Sequence, residues 1–200
     1  MKQRIIRADA NDGVTPRQRE NRELARAAAR EGIVLLKNDG ALPVKPGRIA
    51  LYGAGASRTV KGGTGSGEVN ERHTVTILEG LELAGYEIAS YSWIRDFETE
   101  CREAEECWRQ ERGAQGAGLM NSMVQPFMPP AGRVITDADI AASACDTAIY
   151  VVARQAGEGA DKKLKNGEFD LSPAETESIL KMAAGYKNSV LVINSGSYMD

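Results

Sequence analysis

Three unbroken apolar runs constrain this chain most: "RIALY" at 48–52, "TAIYVVA" at 147–153 and "SVLVIN" at 189–194. Each has strand length and is apolar at nearly every position rather than at alternate ones. That is the pattern of a strand buried on both faces, as in a parallel sheet. Between the runs lie segments with helical periodicity. In "TVTILEGLELAGY", Ile77, Leu78, Leu81 and Ala84 fall on one helical face and Gly85 closes the helix. "DFETECREAEECWRQER" (96–112) reads as a charged helix, and "ITDADIAASACD" as a helix capped by Thr136 or Asp137. "LSPAETESILKMAAGY" places Ser172 as cap with Pro173 in the first turn. Residues 16–31, "PRQRENRELARAAARE", form a further helix, "GIVLLKNDGALP" an apolar run halted by a turn signal, and "YEIAS" a short strand. Strands alternating with helices predict an α/β fold: a three-layer sandwich whose mainly parallel sheet is covered by helices on both faces. The last strand has no covering helix after it, so the domain is expected to be truncated at its C-terminal end.

Composition narrows the partners. A chain of 200 residues is one domain or at most two small ones. Its net charge of −3 and scattered basic residues give no electrostatic footprint for nucleic acid. The apolar runs are too short to span a bilayer. "MKQRIIRADANDG" lacks the apolar stretch of a signal peptide, so a cytoplasmic location is expected. Three cysteines without CxxC spacing indicate reduced thiols, with Cys101 and Cys107 packing in their helix. The single histidine, His73, cannot build a multi-histidine centre, and no metal or cofactor is expected.

Ligands of such sheets bind beyond the carboxyl ends of the strands. Three glycine- or serine-rich loops occupy that position. After "IALY" come "GAGAS" and "RTVKGGTGSGEVN"; Lys61 precedes the glycines and no GK[ST] follows, which removes a phosphate-binding P-loop. Gly53 and Gly55 make a partial dinucleotide fingerprint, but Arg58 stands where the third glycine belongs, and a simple turn explains them equally. After "IYVVA" comes "RQAGEGADKK", with Glu158 between two glycines and Asp161, Lys162 and Lys163 behind it. A carboxyl there is a solvated charge, a ligand contact or an acid/base. Partial burial in a cleft would keep it protonated, as a general acid needs. After "VLVIN", Ser195 and Ser197 do not form a GxSxG nucleophile elbow. Met120, Met123, Phe127 and Met128, within the Gly/Met/Pro-rich 113–133 stretch, suit a partner surface or an apolar flap.

Taken in order, "AREGIVLLKNDGALPV", "RIALYGAGA", "KGGTGSGEVN", "TILEGLELAGY", "IYVVARQAGEGADKK", "GEFDLSPAE" and "VLVINSGSYMD" resemble the α/β-sandwich domain, often called C-terminal, of glycoside hydrolase family 3. The resemblance spans most of 20–200 and lapses over 95–133. It implies a tail or linker at 1–20, the incomplete sandwich domain at 21–200, and an insertion-like segment at about 95–133. It further implies part of a retaining β-glucosidase-like enzyme that hydrolyses terminal β-linked sugars. The nucleophilic Asp would lie on a separate barrel domain, for which this chain has too few strands. The "GEGAD" block matches the family's acid/base loop, which assigns that role to Glu158. Ser66 of "GTGSG" matches a loop residue that reaches the sugar, and Gly65, Thr64 and Asp161 are taken as its neighbours in substrate binding. The implied partners are a β-glucoside or related carbohydrate and the barrel domain of the same protein, with no nucleic acid or membrane and the oligomeric state left open. The short tail before the first block suggests that the sandwich precedes the barrel, and the chain alone is expected to be inactive. Two other readings stay open: a non-catalytic α/β carbohydrate-binding or scaffold module, and a nucleotide-binding α/β protein.

Overall fold

A computed structural model describes residues 13–63, 73–114, 127, 129–155, 163–164 and 167–199. It divides into two compact units, Met1–Leu42 and Pro43–Asp200. In the first unit, helix α1 (Pro16–Gly32) starts from a capping box in which Thr15 and Gln18 bond each other's backbone. None of its residues is buried. Ile33 to Leu36 follow as exposed, extended chain without strand pairing. An apolar run becomes a strand only where a neighbour takes its backbone bonds, and no such ladder forms here. The Asn-Asp-Gly turn does form: Asn38 Oδ1 accepts from the Gly40 and Leu42 N–H groups.

The second unit runs β1 (Arg48–Tyr52), α2 (Ile77–Leu83), β2 (Glu87–Ile88), α3 (Tyr91–Ala114), α4 (Asp137–Ser143), β3 (Thr147–Arg154), α5 (Pro173–Gly185) and β4 (Asn188–Ser195). All strand pairs are parallel, in the order β2-β1-β3-β4. The chain leaves β1 in one direction and crosses back past it to reach β3 and β4. Right-handed crossovers therefore put α2 on one face of the sheet and α3, α4 and α5 on the other. This is the expected α/β sandwich.

The three apolar runs are the three long strands, and Ile49, Leu51, Tyr52, Tyr150, Val151 and Val152 are buried. Tyr52 meets Trp93 edge-on at 5.4 Å, and Trp93 stacks on Phe97 at 5.6 Å. Helix α3 therefore begins at Tyr91, before the charged stretch, and is anchored by Trp93, Ile94, Phe97 and Cys101. The charged residues cover its outer side. Cys101 is buried, but Cys107 is exposed and does not pack as expected. Ala84 is likewise exposed, because α2 ends one residue before it and Gly85 takes φ +89°. β2 is only two residues long. Ser90 extends it: its hydroxyl accepts from the Leu51 N–H and donates to the Leu51 C=O, both at 2.7 Å, standing in for a peptide group.

Candidate functional site

Because the chain departs from β1 and β3 in opposite directions, the β1–β3 seam is the topological switch point. In open parallel sheets that is where a crevice opens at the carboxyl ends. Register pairs Tyr52 with Tyr150, so β3 projects beyond β1 by Val151 to Arg154. The segment leaving β1 lies over that projection.

Gly53 adopts φ +88°, and a Cβ there would sit 2.3 Å from the Val151 carbonyl oxygen. Only glycine permits the approach. It lets the Gly55 N–H donate to the Val151 C=O at 3.1 Å, with Gly55 resting on the Val151 and Ala153 side chains. Ser57 Oγ then donates to Glu98 at 2.6 Å, and Arg58 binds the same carboxylate through Nε and a terminal nitrogen. Burial lowers the Arg58 pKa most, but its hydrogen bond to Glu98 together with the negative charges of Cys101, Glu98 and Glu105 leaves it above its ordinary value. The position that failed the dinucleotide fingerprint is thus a structural brace. Thr59 Oγ1 donates to the Gly55 C=O and accepts from the Ile77 N–H, each at 2.8 Å, fixing the start of α2. Finally Asn194, near the end of β4, grips Val60 on both sides. The Val60 N–H donates to Asn194 Oδ1 at 2.6 Å, and Asn194 Nδ2 donates to the Val60 C=O at 3.0 Å. The exit from β1 therefore passes across β3 and is tied to β4.

The loop after β3 begins at the same place. Gln155 Nε2 donates to the Gly62 C=O at 3.4 Å, joining the two loops at their roots. Beside it, Arg154 is buried and pairs in a fork with Glu175, at 2.7 and 2.6 Å. Glu175 sits in the first turn of α5, where Ser172 and Glu175 form a capping box.

Ser66, Gly65, Thr64, Glu158 and Asp161 all lie outside the described residues, as do Lys162, Met120, Met123 and Met128. The structure brings together the roots of the two loops that carry the first five. His73 contacts Glu79 at 2.9 Å on the surface, and Lys61 Nζ donates to Thr74 Oγ1 at 3.1 Å. The Lys163 N–H donates to the Glu168 carboxylate. Phe127 packs edge-on against Trp108. Ser195 and Ser197 bond each other in a local turn. Among the described residues no group of three or more His, Cys, Asp or Glu side chains could hold a metal ion. No helix among them is long and apolar enough to cross a membrane.

Sequence reasoning passed over Arg154, Gln155, Glu175 and Asn194. Two signals were present. Serine at the cap followed three residues later by Glu is a capping box. An arginine closing an otherwise apolar strand needs a buried partner.

The comparisons agree with this fold. Residues 33–200 match the model of the glycosyl hydrolase family 3 C-terminal domain. Beta-glucosidase A of Butyrivibrio fibrisolvens is 30% identical over 89% of this chain, which spans 23% of that protein. A beta-glucosidase of Ruminococcus albus is 29% identical over 85% of this chain and 17% of its own length. Beta-glucosidase 3B of Thermotoga neapolitana, solved in complex with α-D-glucose, superposes with a TM-score of 0.75 at 31% identity, covering 93% of this chain and 26% of that one. This chain thus spans about a quarter or less of the relatives it matches, and it belongs to glycosyl hydrolase family 3, as its C-terminal domain.

Proposed function

We propose that this chain is the sandwich-domain part of a retaining β-glucosidase in which Glu158 is the acid/base and the Thr64–Gly65–Ser66 loop, with Asp161, contacts the sugar. One observation carries the reading. The loops bearing Ser66 and Glu158 spring from adjacent strands at the switch point and are joined at their roots through Gln155 and Gly62. The similarity to a beta-glucosidase solved with α-D-glucose supports glucose as the sugar.

Retaining hydrolysis proceeds in two steps, with two carboxyl groups about 5–5.5 Å apart. In the first, the Glu158 carboxyl gives its proton to the glycosidic oxygen as the aglycone leaves and the partner carboxylate bonds to the anomeric carbon. In the second, the Glu158 carboxylate takes a proton from the water that displaces that carboxylate. The nucleophile is supplied from outside this chain, by the barrel domain. The glycines around Ser66 let backbone and hydroxyl approach the sugar closely.

The test is Glu158→Gln in the full-length enzyme. An amide cannot give up a proton, so kcat/KM for cellobiose falls by about 100- to 10,000-fold, the usual worth of general acid catalysis. A 2,4-dinitrophenyl β-glucoside, whose leaving group needs no proton, loses far less in the glycosylation step. Equal losses on both substrates would refute the assignment.

A further inference from the structure

The Arg154 guanidinium has five N–H donors, and all five are used. Nε donates to the Glu168 C=O at 3.1 Å. One terminal nitrogen donates to the Ala153 C=O at 2.9 Å and to Glu175 Oε1 at 2.7 Å. The other donates to the Asp170 C=O at 3.3 Å and to Glu175 Oε2 at 2.6 Å. The side chains of Arg154 and Glu175 are 3% and 0% exposed. Glu175 Oε2 also accepts the Ser172 N–H at 2.8 Å, and the Gly167 N–H bonds the Asp170 C=O at 2.9 Å.

Arg154 ends the strand from which the loop departs, whereas Glu168 and Asp170 lie where the chain comes back to α5. One buried side chain therefore closes both feet of the 155–167 loop, and the start of α5 locks it in place. With no donor left over and no exposure, Arg154 cannot bind substrate itself. A surface ion pair would not do this work, because it is weak and mobile. A buried pair kept only for stability is replaceable by apolar residues of similar volume at little loss. What an apolar pair cannot replace is the grip on the two returning carbonyl groups.

We infer that Arg154, held by Glu175, is a positioning residue that fixes the loop carrying Glu158, an inference that rests on the acid/base reading above. A shift of the acid by about 1 Å is enough to lower a rate on the order of 100-fold. Such a shift matters where proton transfer limits the reaction and not where the leaving group departs unaided.

The experiment compares cellobiose with the 2,4-dinitrophenyl β-glucoside in four forms of the full-length enzyme: wild type, Glu158→Gln, Arg154→Lys and the double variant Arg154→Met/Glu175→Leu. Urea midpoints report folding. Arg154→Lys retains the charge opposite Glu175 but has neither the fork nor the Nε–H. The double variant removes the buried pair altogether and so restores folding if Arg154→Lys does not fold. The expected result is a folded variant that loses about 100-fold on cellobiose and little on the activated glucoside, the same direction of split as Glu158→Gln. If Glu158→Gln splits the substrates and the Arg154 variants lower both equally, the positioning role is overturned and the acid/base assignment stands. If Glu158→Gln itself shows no split, the acid/base reading falls and takes this inference with it.

Discussion

Gly53 and Gly55 offer a graded test of how the β1 exit is built, because an added methyl meets different obstacles two residues apart. At Gly53 it would lie 2.3 Å from the Val151 oxygen, 2.8 Å from its nitrogen and 2.9 Å from its carbonyl carbon, on a backbone with φ +88°. Left-handed geometry costs an L-residue about 1–2 kcal/mol. The collision is with main chain, so the exit must lift off β3 and lose the Gly55–Val151 hydrogen bond, worth about 1 kcal/mol. Disrupted packing adds about 1–3 kcal/mol. Gly53→Ala should therefore cost about 3–6 kcal/mol, a large share of the roughly 5–15 kcal/mol that holds a domain together.

At Gly55 the methyl would meet Val151 Cγ1 at 2.5 Å and Ala153 Cβ at 3.1 Å. These are side-chain atoms, and the cost is overpacking alone, about 1–3 kcal/mol. A double-mutant cycle with Val151→Ala separates the two cases. Truncating Val151 removes the obstacle at Gly55 and should give a favourable coupling above about 1 kcal/mol with Gly55→Ala. It leaves the Val151 main chain untouched, so coupling with Gly53→Ala should stay below about 0.5 kcal/mol. Urea unfolding followed through Trp93, buried between Tyr52 and Phe97, reads the free energy of every form in the two cycles. The reasoning fails if Gly53→Ala is tolerated within about 0.5 kcal/mol, or if Val151→Ala rescues it as well as it rescues Gly55→Ala.

Two further outcomes are expected. Tyr186 OH joins Tyr52 OH at 2.7 Å to Ser143 Oγ at 2.8 Å; Tyr186→Phe should cost about 1–3 kcal/mol in urea unfolding, because the buried Tyr52 hydroxyl keeps only a 3.5 Å contact with the Asp139 C=O. Adding Tyr52→Phe should then cost less than it does alone. Burial, opposed by Arg58 and reinforced by Glu98, pushes the Cys101 thiol from 9.0 to about 11. The unfolded thiol ionises first, so stability is full below about pH 9 and falls as pH rises towards about 11, by up to roughly 2–3 kcal/mol. Cys101→Ala should flatten the urea midpoint between pH 9 and 10, before the buried tyrosines contribute; an unchanged slope would assign the loss elsewhere.

The fold was legible because its signals are local. Runs such as "TAIYVVA" admit few structures besides a doubly covered strand, and Ser172 and Thr136 cap the helices they were expected to cap. The start of α3 was misplaced because Trp93 and Phe97 belong to a core stripe that continues into a strongly charged helix, and charge dominates the reading of a short window. The apolar run "IVLL" stays exposed, since apolarity by itself does not supply the partner that would bury it. The candidate site was legible only as loop positions. Its supports are non-local: Asn194 lies 134 positions from Val60, and Arg154 lies 21 from Glu175. No periodicity encodes such pairs, and Asn194, Arg154 and Glu175 are each an ordinary polar residue near the end of an element.

The supports share a logic that bears on how the loops at the switch point are kept in order. A loop leaving a parallel strand has backbone groups that no ladder satisfies, and the entropy of holding it still must be offset. Here polar side chains supply the missing ladder. Asn194 presents one acceptor and one donor to Val60, as a neighbouring strand would. Ser90 does the same for Leu51, and Arg154 gathers the Ala153, Glu168 and Asp170 carbonyl groups. Each support acts within a few residues of a strand's end. The first loop is thus fixed as far as Val60 by the sheet, and the second at both feet by Arg154. Replacing one amide or one guanidinium should therefore disturb a loop while leaving the strands paired, which is the separation between activity and folding that the Arg154 variants are designed to measure.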